Sequence, residues 1–303
     1  MSLHAPADAA ALIIANRRGI LAMLAAMTLF VSNDALVKYT SQSLPAAQLI
    51  FLRGVFASLL VLGMAAALGA IPRIRESLSK PVLTRASIEA FATVLYLASL
   101  FQLPIANATS INLAAPLFIT MLAAIFLREQ VGWRRWSAIA VGFVGVLLVI
   151  QPNSDGFNAY SLLCLLATLL YSFRDLLTRR IPPTTPSILI TLSTAVAVTL
   201  LAGGLSLIEG WQPFDRTQLL TLALASLFLS GGYYTVIVAM RGGEMSLIAP
   251  FRYSGLLWAL LLGYLVWGDI PNLPAWLGIT LLIASGLYML HRERIRARQA
   301  MRR

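Results

Sequence analysis

NDALVKY, residues 33–39, closes an apolar run, GILAMLAAMTLFVS at 19–32, yet carries Asp34 and Lys38. The acid and the base stand at i and i+4, so on a helix they share one face and can pair with each other. The same spacing returns 141 residues later in RDLLTRR (174–180), where Asp175 and Arg179 end another apolar run. At that offset LAAMTLFVSNDALVK (24–38) lies over LLATLLYSFRDLLTR (165–179). Further along, LAAP (113–116) matches LIAP (247–250), and the seven-residue interval from Glu129 to Trp136 recurs from Asp269 to Trp276. The offset drifts between 134 and 141, as loops of unequal length require. Together the matches describe a duplicated chain.

The composition around these stretches belongs to a membrane. Apolar residues are 59% and charged residues 12% of the chain, where an ordinary soluble domain has about 45–50% and about 25%. Ten apolar windows fall near 19–40, 46–69, 83–103, 107–127, 134–150, 158–178, 187–208, 218–239, 246–267 and 273–290. Each is close to the ~20 residues that cross the hydrocarbon as a helix, and none alternates as a barrel strand does. They use up the 303 residues, leaving no room for a sizeable soluble domain.

Lys and Arg sort between alternate loops: 18 fall on the side of the N-terminus, only Lys38 and Arg216 on the other, and Arg53, Arg174 and Arg252 within spans. By the positive-inside rule both termini are expected in the cytoplasm. The net charge of +11 is thereby explained by topology, with no nucleic-acid partner. The expected organisation is a cytoplasmic tail at 1–18, five-helix repeats at 19–150 and 151–290, and a basic tail at 291–303. Five is odd, so the second repeat enters from the opposite side, giving an all-α polytopic bundle of two inverted repeats. Such halves can exchange conformations about a central site.

These features resemble the EamA repeats of the drug/metabolite transporter superfamily, in LAAPLF, in LIAPFRYSGLLWALLLGYLVWGD, and in the LREQ and WGDI helix exits. The resemblance covers about residues 19–290, and within the superfamily the chain is similar to bacterial inner-membrane exporters of amino acids, the aromatic type included. It implies a secondary transporter exporting amino acids or related small metabolites by alternating access. Vitamins, nucleoside derivatives and drugs are the alternative cargo, and a facilitative channel the alternative mechanism. It also implies a cavity lined mainly by the third, fourth, eighth and ninth helices, with the first and sixth beside it.

Several residues on those helices are candidate cargo contacts. Pro116 and Pro250 lack an N–H, which frees the carbonyls of Asn112 and Ser246 to bind cargo or merely kinks the helix. Arg252 can fork onto a carboxylate or snorkel to the headgroups; Tyr253 and Trp258 follow it. Tyr96, Ser99, Tyr233 and Tyr234 offer an aromatic lining with hydrogen-bonding tips, or ordinary packing. Asp34 and Asp175 are either self-paired with Lys38 and Arg179 or act as gates and proton carriers. Arg53 and Arg174 are spare cations able to bridge to those acids, and Glu89 has Arg85 four residues earlier to pair with.

Nothing calls for a cofactor or a metal: Cys164 is the only cysteine, and His4 and His291 lie outside the spans. HExxH, GxSxG and GxxxxGK[ST] are all missing, against an intramembrane enzyme and against direct nucleotide drive. The partners expected are a small molecule and the bilayer, and the sequence does not choose between monomer and homodimer.

Overall fold

The computed structural model describes residues 5–128, 131–152, 158–178, 180–242 and 245–301. Among them, ten helices are long and apolar enough to cross a membrane. They are α1 (Ala5–Thr40), α2 (Ala46–Ala67), α3 (Lys80–Gln102), α4 (Ile105–Phe126), α5 (Trp133–Ile150), α6 (Tyr160–Thr178), α7 (Ser187–Glu209), α8 (Arg216–Gly242), α9 (Ala249–Trp267) and α10 (Leu273–Met301). The protein is an all-helical, multi-pass membrane protein.

The two segments expected as tails are helical. Residues 5–18 are the opening turns of α1, and 291–301 continue α10. No proline stands at either junction to stop the helix, and the flanking Ala, Leu, Arg and Gln are strong helix formers.

Prolines interrupt the bundle where the chain changes pitch. α4 is two pieces, Ile105–Asn112 and Ala115–Phe126, with Pro116 in the first turn of the second. α9 opens as a 3-10 turn over Ala249–Tyr253 that holds Pro250, continues as Ser254–Leu262, and ends in a π-helical turn, Gly263–Trp267.

Helices of the first five pack chiefly against helices of the second five. The most extensive contacts are α1 with α8, α2 with α7, α5 with α10, and α3 with α6, followed by α3 with α7 and α2 with α8. Exchanging each helix with its counterpart five places on maps this set onto itself: α1–α8 becomes α6–α3, and α3–α7 becomes α8–α2. Two groups result, α1, α2 and α8 on one side and α3, α6 and α7 on the other, with α2–α7 bridging them.

Small residues permit the closest approaches. Gly145 on α5 and Gly278 on α10 face each other so nearly that a Cβ on Gly145 would lie 2.8 Å from the Gly278 carbonyl oxygen. With lipid on the outside, helices associate through such packing rather than through hydrophobic exclusion. Interior hydroxyls return their hydrogen to their own helix, as in Ser110 to Ala106, Thr168 to Cys164 and Ser226 to Leu222.

The ends of the helices are tied at both faces of the bundle. On one, Glu209 at the end of α7 accepts from the amides of Ala46 and Ala47 at 3.1 and 2.6 Å, a carboxylate on the positive end of α2. On the same face Asn158, just before α6, donates to the Gln102 carbonyl at the end of α3. On the other, Arg73 of the 3-10 connector Ile71–Leu78 binds Glu76 and the carbonyl of Thr184 in the α6–α7 loop. The hydrogen bond from Arg73 holds the Glu76 carboxyl below its ordinary range.

Candidate functional site

Between the two groups lies a cavity of about 130 Å³. Its wall comes from α1 (Asn33, Asp34), α2 (Arg53, Gly54), α3 (Arg85, Glu89, Thr93, Tyr96), α6 (Tyr171), α7 (Thr191, Thr194) and α8 (Ser230, Tyr233), closed by aliphatic side chains. Along α3 the polar positions from Arg85 to Tyr96 cover about 16 Å of helix rise, so the lining follows the bundle axis.

At one level stand Asp34 and Arg53. The Tyr96 hydroxyl donates to Asp34 Oδ2 at 2.9 Å, and the Asn33 amide donates to Oδ1 at 2.9 Å. Arg53, 5% exposed, donates among the described residues only to Asn33 Oδ1, at 3.4 Å. Roughly two turns towards the opposite face stands Glu89, 2% exposed. Arg174 Nη1 meets one of its oxygens at 2.5 Å, and Arg85 Nη1 lies 3.0 Å from the other, an ion pair without hydrogen-bond alignment. Arg85 is fixed by Thr178 on α6 and Thr194 on α7. Arg174 is fixed by Asp175 at 2.9 Å and stacks 5.2 Å from the centre of the Tyr171 ring. Tyr171 in turn sits edge-on to Tyr96, centroids 6.1 Å apart, and donates to Thr93.

Among the described residues three buried polar atoms of this lining have no hydrogen-bond partner: Arg53 Nε, Ser230 Oγ and Glu89 Oε2, the last held by Arg85 as an ion pair. An unsatisfied buried polar atom costs on the order of 1–3 kcal/mol, and more when charged. On one cavity Arg53 Nε and Ser230 Oγ offer a donor and a hydroxyl to a polar ligand, beside tyrosine faces suited to a ring.

The expected contacts divide between this cavity and other places. Tyr96 and Tyr233 line it, together with Asp34, Arg53 and Glu89. Ser99, on α3 beyond Tyr96, is fully buried and returns its hydrogen to Leu95. Asn112, Pro116 and Pro250 lie at helix breaks outside the lining. Tyr234 is exposed, as is Arg252, while the Tyr253 hydroxyl is buried beside Gly286. Trp258 is 37% exposed on α9. The cavity thus draws on α1, α2, α3, α6, α7 and α8 rather than mainly on the third, fourth, eighth and ninth helices. The breaks in α4 and α9 are packed shut, α4 against α6 with Ser172 donating to the Ala115 carbonyl, and α9 against α1.

The i, i+4 pairs also resolve differently. Lys38 does not pair with Asp34; its ammonium donates to the carbonyls of Leu100 and Leu103 at 2.9 and 2.5 Å and sits 5.5 Å over the Trp267 ring. The reason is Pro104: with no N–H it leaves the Leu100 carbonyl without its helical donor, and a cation is favoured at the negative end of α3. Asp175 takes Arg174 instead; Arg179, and Glu129 of the repeated spacing, lie outside the described residues. Arg85 meets Glu89 as its spacing predicts; Asn33, Tyr171, Thr194, Ser230 and Glu209 are contacts that the sequence does not mark out. For Tyr171 a signal was present, since it stands three residues before Arg174 on one helical face.

The described residues thus form a ten-helix membrane bundle around a buried cavity lined by two acids and two arginines. The chain belongs to the EamA-like transporter family, which matches it twice, over residues 17–151 and 158–290. It is 31% identical to the riboflavin transporter of Rhizobium johnstonii over 72% of each chain. To the S-adenosylmethionine uptake transporter of Rickettsia bellii it is 24% identical, covering 87% of this chain and 90% of that one. To the pseudopaline exporter CntI of Pseudomonas aeruginosa it is 25% identical, over 88% and 93%. A solved crystal structure superposes with a TM-score of 0.63 at 16% identity, covering 91% of this chain and 98% of the other, a likeness of fold alone.

Proposed function

We propose that this protein is a secondary carrier of the bacterial inner membrane that moves a small metabolite through the cavity between the α1–α2–α8 and α3–α6–α7 groups by alternating access. The observation that carries the proposal is the convergence of Arg53 Nε and Ser230 Oγ, buried and without a hydrogen-bond partner among the described residues, on one cavity. Inverted repeats are part of this reading. Lys38 in the last turn of α1 and Asn158 ahead of α6 both reach the same end of α3, which supports α6 starting where α1 finishes.

The unbonded Arg53 Nε–H suits a carboxylate, and the Tyr96, Tyr171 and Tyr233 rings suit a flat side chain, so an aromatic amino acid or a related metabolite is the first cargo proposed. A second reading is a vitamin of the flavin type. It is favoured by the relatives named as riboflavin transporters, from Rhizobium johnstonii and from Vibrio cholerae, the latter 26% identical over 93% of this chain. Relatives named for uptake and for export share the fold, so direction does not follow from architecture.

The test is counterflow in proteoliposomes loaded in turn with phenylalanine, riboflavin and S-adenosylmethionine. Saturable exchange of one of them is expected. Leakage without saturation points to a channel, and no flux of any of the three overturns the cargo proposed.

A further inference from the structure

The two carboxylates that face the cavity are held in opposite ways. Glu89 is neutralised by two guanidiniums, Arg85 and Arg174. Asp34 has neither: among the described residues no basic nitrogen lies within ion-pair distance, and its oxygens accept only from the neutral Tyr96 hydroxyl and Asn33 amide. The cation nearest in effect is Arg53, whose one side-chain hydrogen bond among the described residues is the long one to Asn33 and whose Nε has no partner there.

The other ionisable groups around Asp34 leave that relation intact. Lys38, one turn on, is consumed by the Leu100 and Leu103 carbonyls. Cys164 on α6 directs its thiol to the Ala108 carbonyl. Tyr171 donates to Thr93, and Tyr233 packs edge-on to Phe30. Glu89 is already compensated. Arg53 and Asp34 are therefore the one pair of opposite charges in the lining that balance each other without being bonded to each other.

We propose that Asp34 is a proton-binding site coupled to cargo through Arg53, a mechanism that rests on the cavity being the cargo site. While Asp34 is ionised, its negative charge offsets Arg53. When one of its oxygens takes a proton from water, that charge disappears, and Arg53 is left as a buried, uncompensated cation with a free Nε–H. It then binds an electron-rich oxygen group of the cargo, a carboxylate foremost. The proton and that group enter together, and departure of the proton to water on the other side returns Arg53 to Asp34 and weakens the hold on cargo. Reciprocity follows from linkage: whatever acid does for cargo, cargo does for the proton.

Infrared difference spectroscopy on the full-length protein tests the proton site without any cargo. Acidification should raise a protonated-carboxyl band that is missing in Asp34→Asn and present, at a shifted frequency, in Asp34→Glu. In proteoliposomes a proton gradient, acid outside, should raise accumulation of phenylalanine, riboflavin or S-adenosylmethionine, whichever exchanges, by about tenfold. That response should vanish in Asp34→Asn and return in Asp34→Glu. The proposal is overturned if the band survives in Asp34→Asn, or if wild-type protein exchanges a probe and ignores the gradient. If no probe exchanges in wild type, it is the cargo reading that fails, and the infrared result still decides whether Asp34 takes a proton.

Discussion

Glu89 shows how much one side chain holds in place. It joins α3 to α6 through Arg174 and shares Arg85, which itself reaches α6 and α7. Glu89→Gln removes the anion and leaves two buried guanidiniums facing an amide. Breaking a buried pair from one side costs about 3 kcal/mol or more, so the melting temperature in detergent should fall clearly, and Glu89→Asp should recover part of the loss. Such partnerships were only half legible. Arg85 and Glu89 advertise themselves by their i, i+4 spacing, and they do meet. Asp34 and Lys38 have the same spacing and do not, because Pro104, 66 positions beyond Lys38, creates a stronger demand for the ammonium. Local spacing describes what can pair, while a carbonyl freed on another helix is visible only after folding.

At the scale of elements, the crossing of α5 and α10 depends on there being no side chain at either glycine. A Cβ on Gly278 would fall against the Gly145 carbonyl and within 2.9 Å of Val149. Gly278→Val should therefore lower stability by about 2 kcal/mol, read as a lower melting temperature. Gly204→Ala on α7, where nothing stands within 4 Å, serves as the matched control and should be neutral or slightly stabilising. Helix positions were well marked in the sequence, since apolar length and charge punctuation fix them, and the breaks fall beside Pro116 and Pro250. The cavity's address was not. A proline says that a carbonyl is released but not which neighbour covers it, and here the breaks in α4 and α9 are packed against other helices. The signal that did point to the cavity was the set of charges inside α1, α2, α3 and α6, which hydrocarbon does not tolerate without partners or water.

For the whole molecule, the arrangement of ends makes a topological prediction. Cysteines at Ser43 and Asn158 should react with an impermeant maleimide from one side of the membrane, and those at Arg75 and Thr184 only from the other. Native Cys164 is buried and should stay silent. Reaction of Ser43→Cys and Asn158→Cys from opposite sides would remove the inverted arrangement. The interlacing of the two halves has a further consequence, for biogenesis. Since α1 finds its main neighbour in α8 and α3 finds its own in α6, the first five helices have no finished interior of their own. They leave the translocon with Arg53 and Glu89 facing lipid or an insertase, and only later-made helices shelter them. A ribosome that stops after α5 should therefore release an orphan that exposes, to a quality-control protease, the charges that the completed fold buries around its cavity.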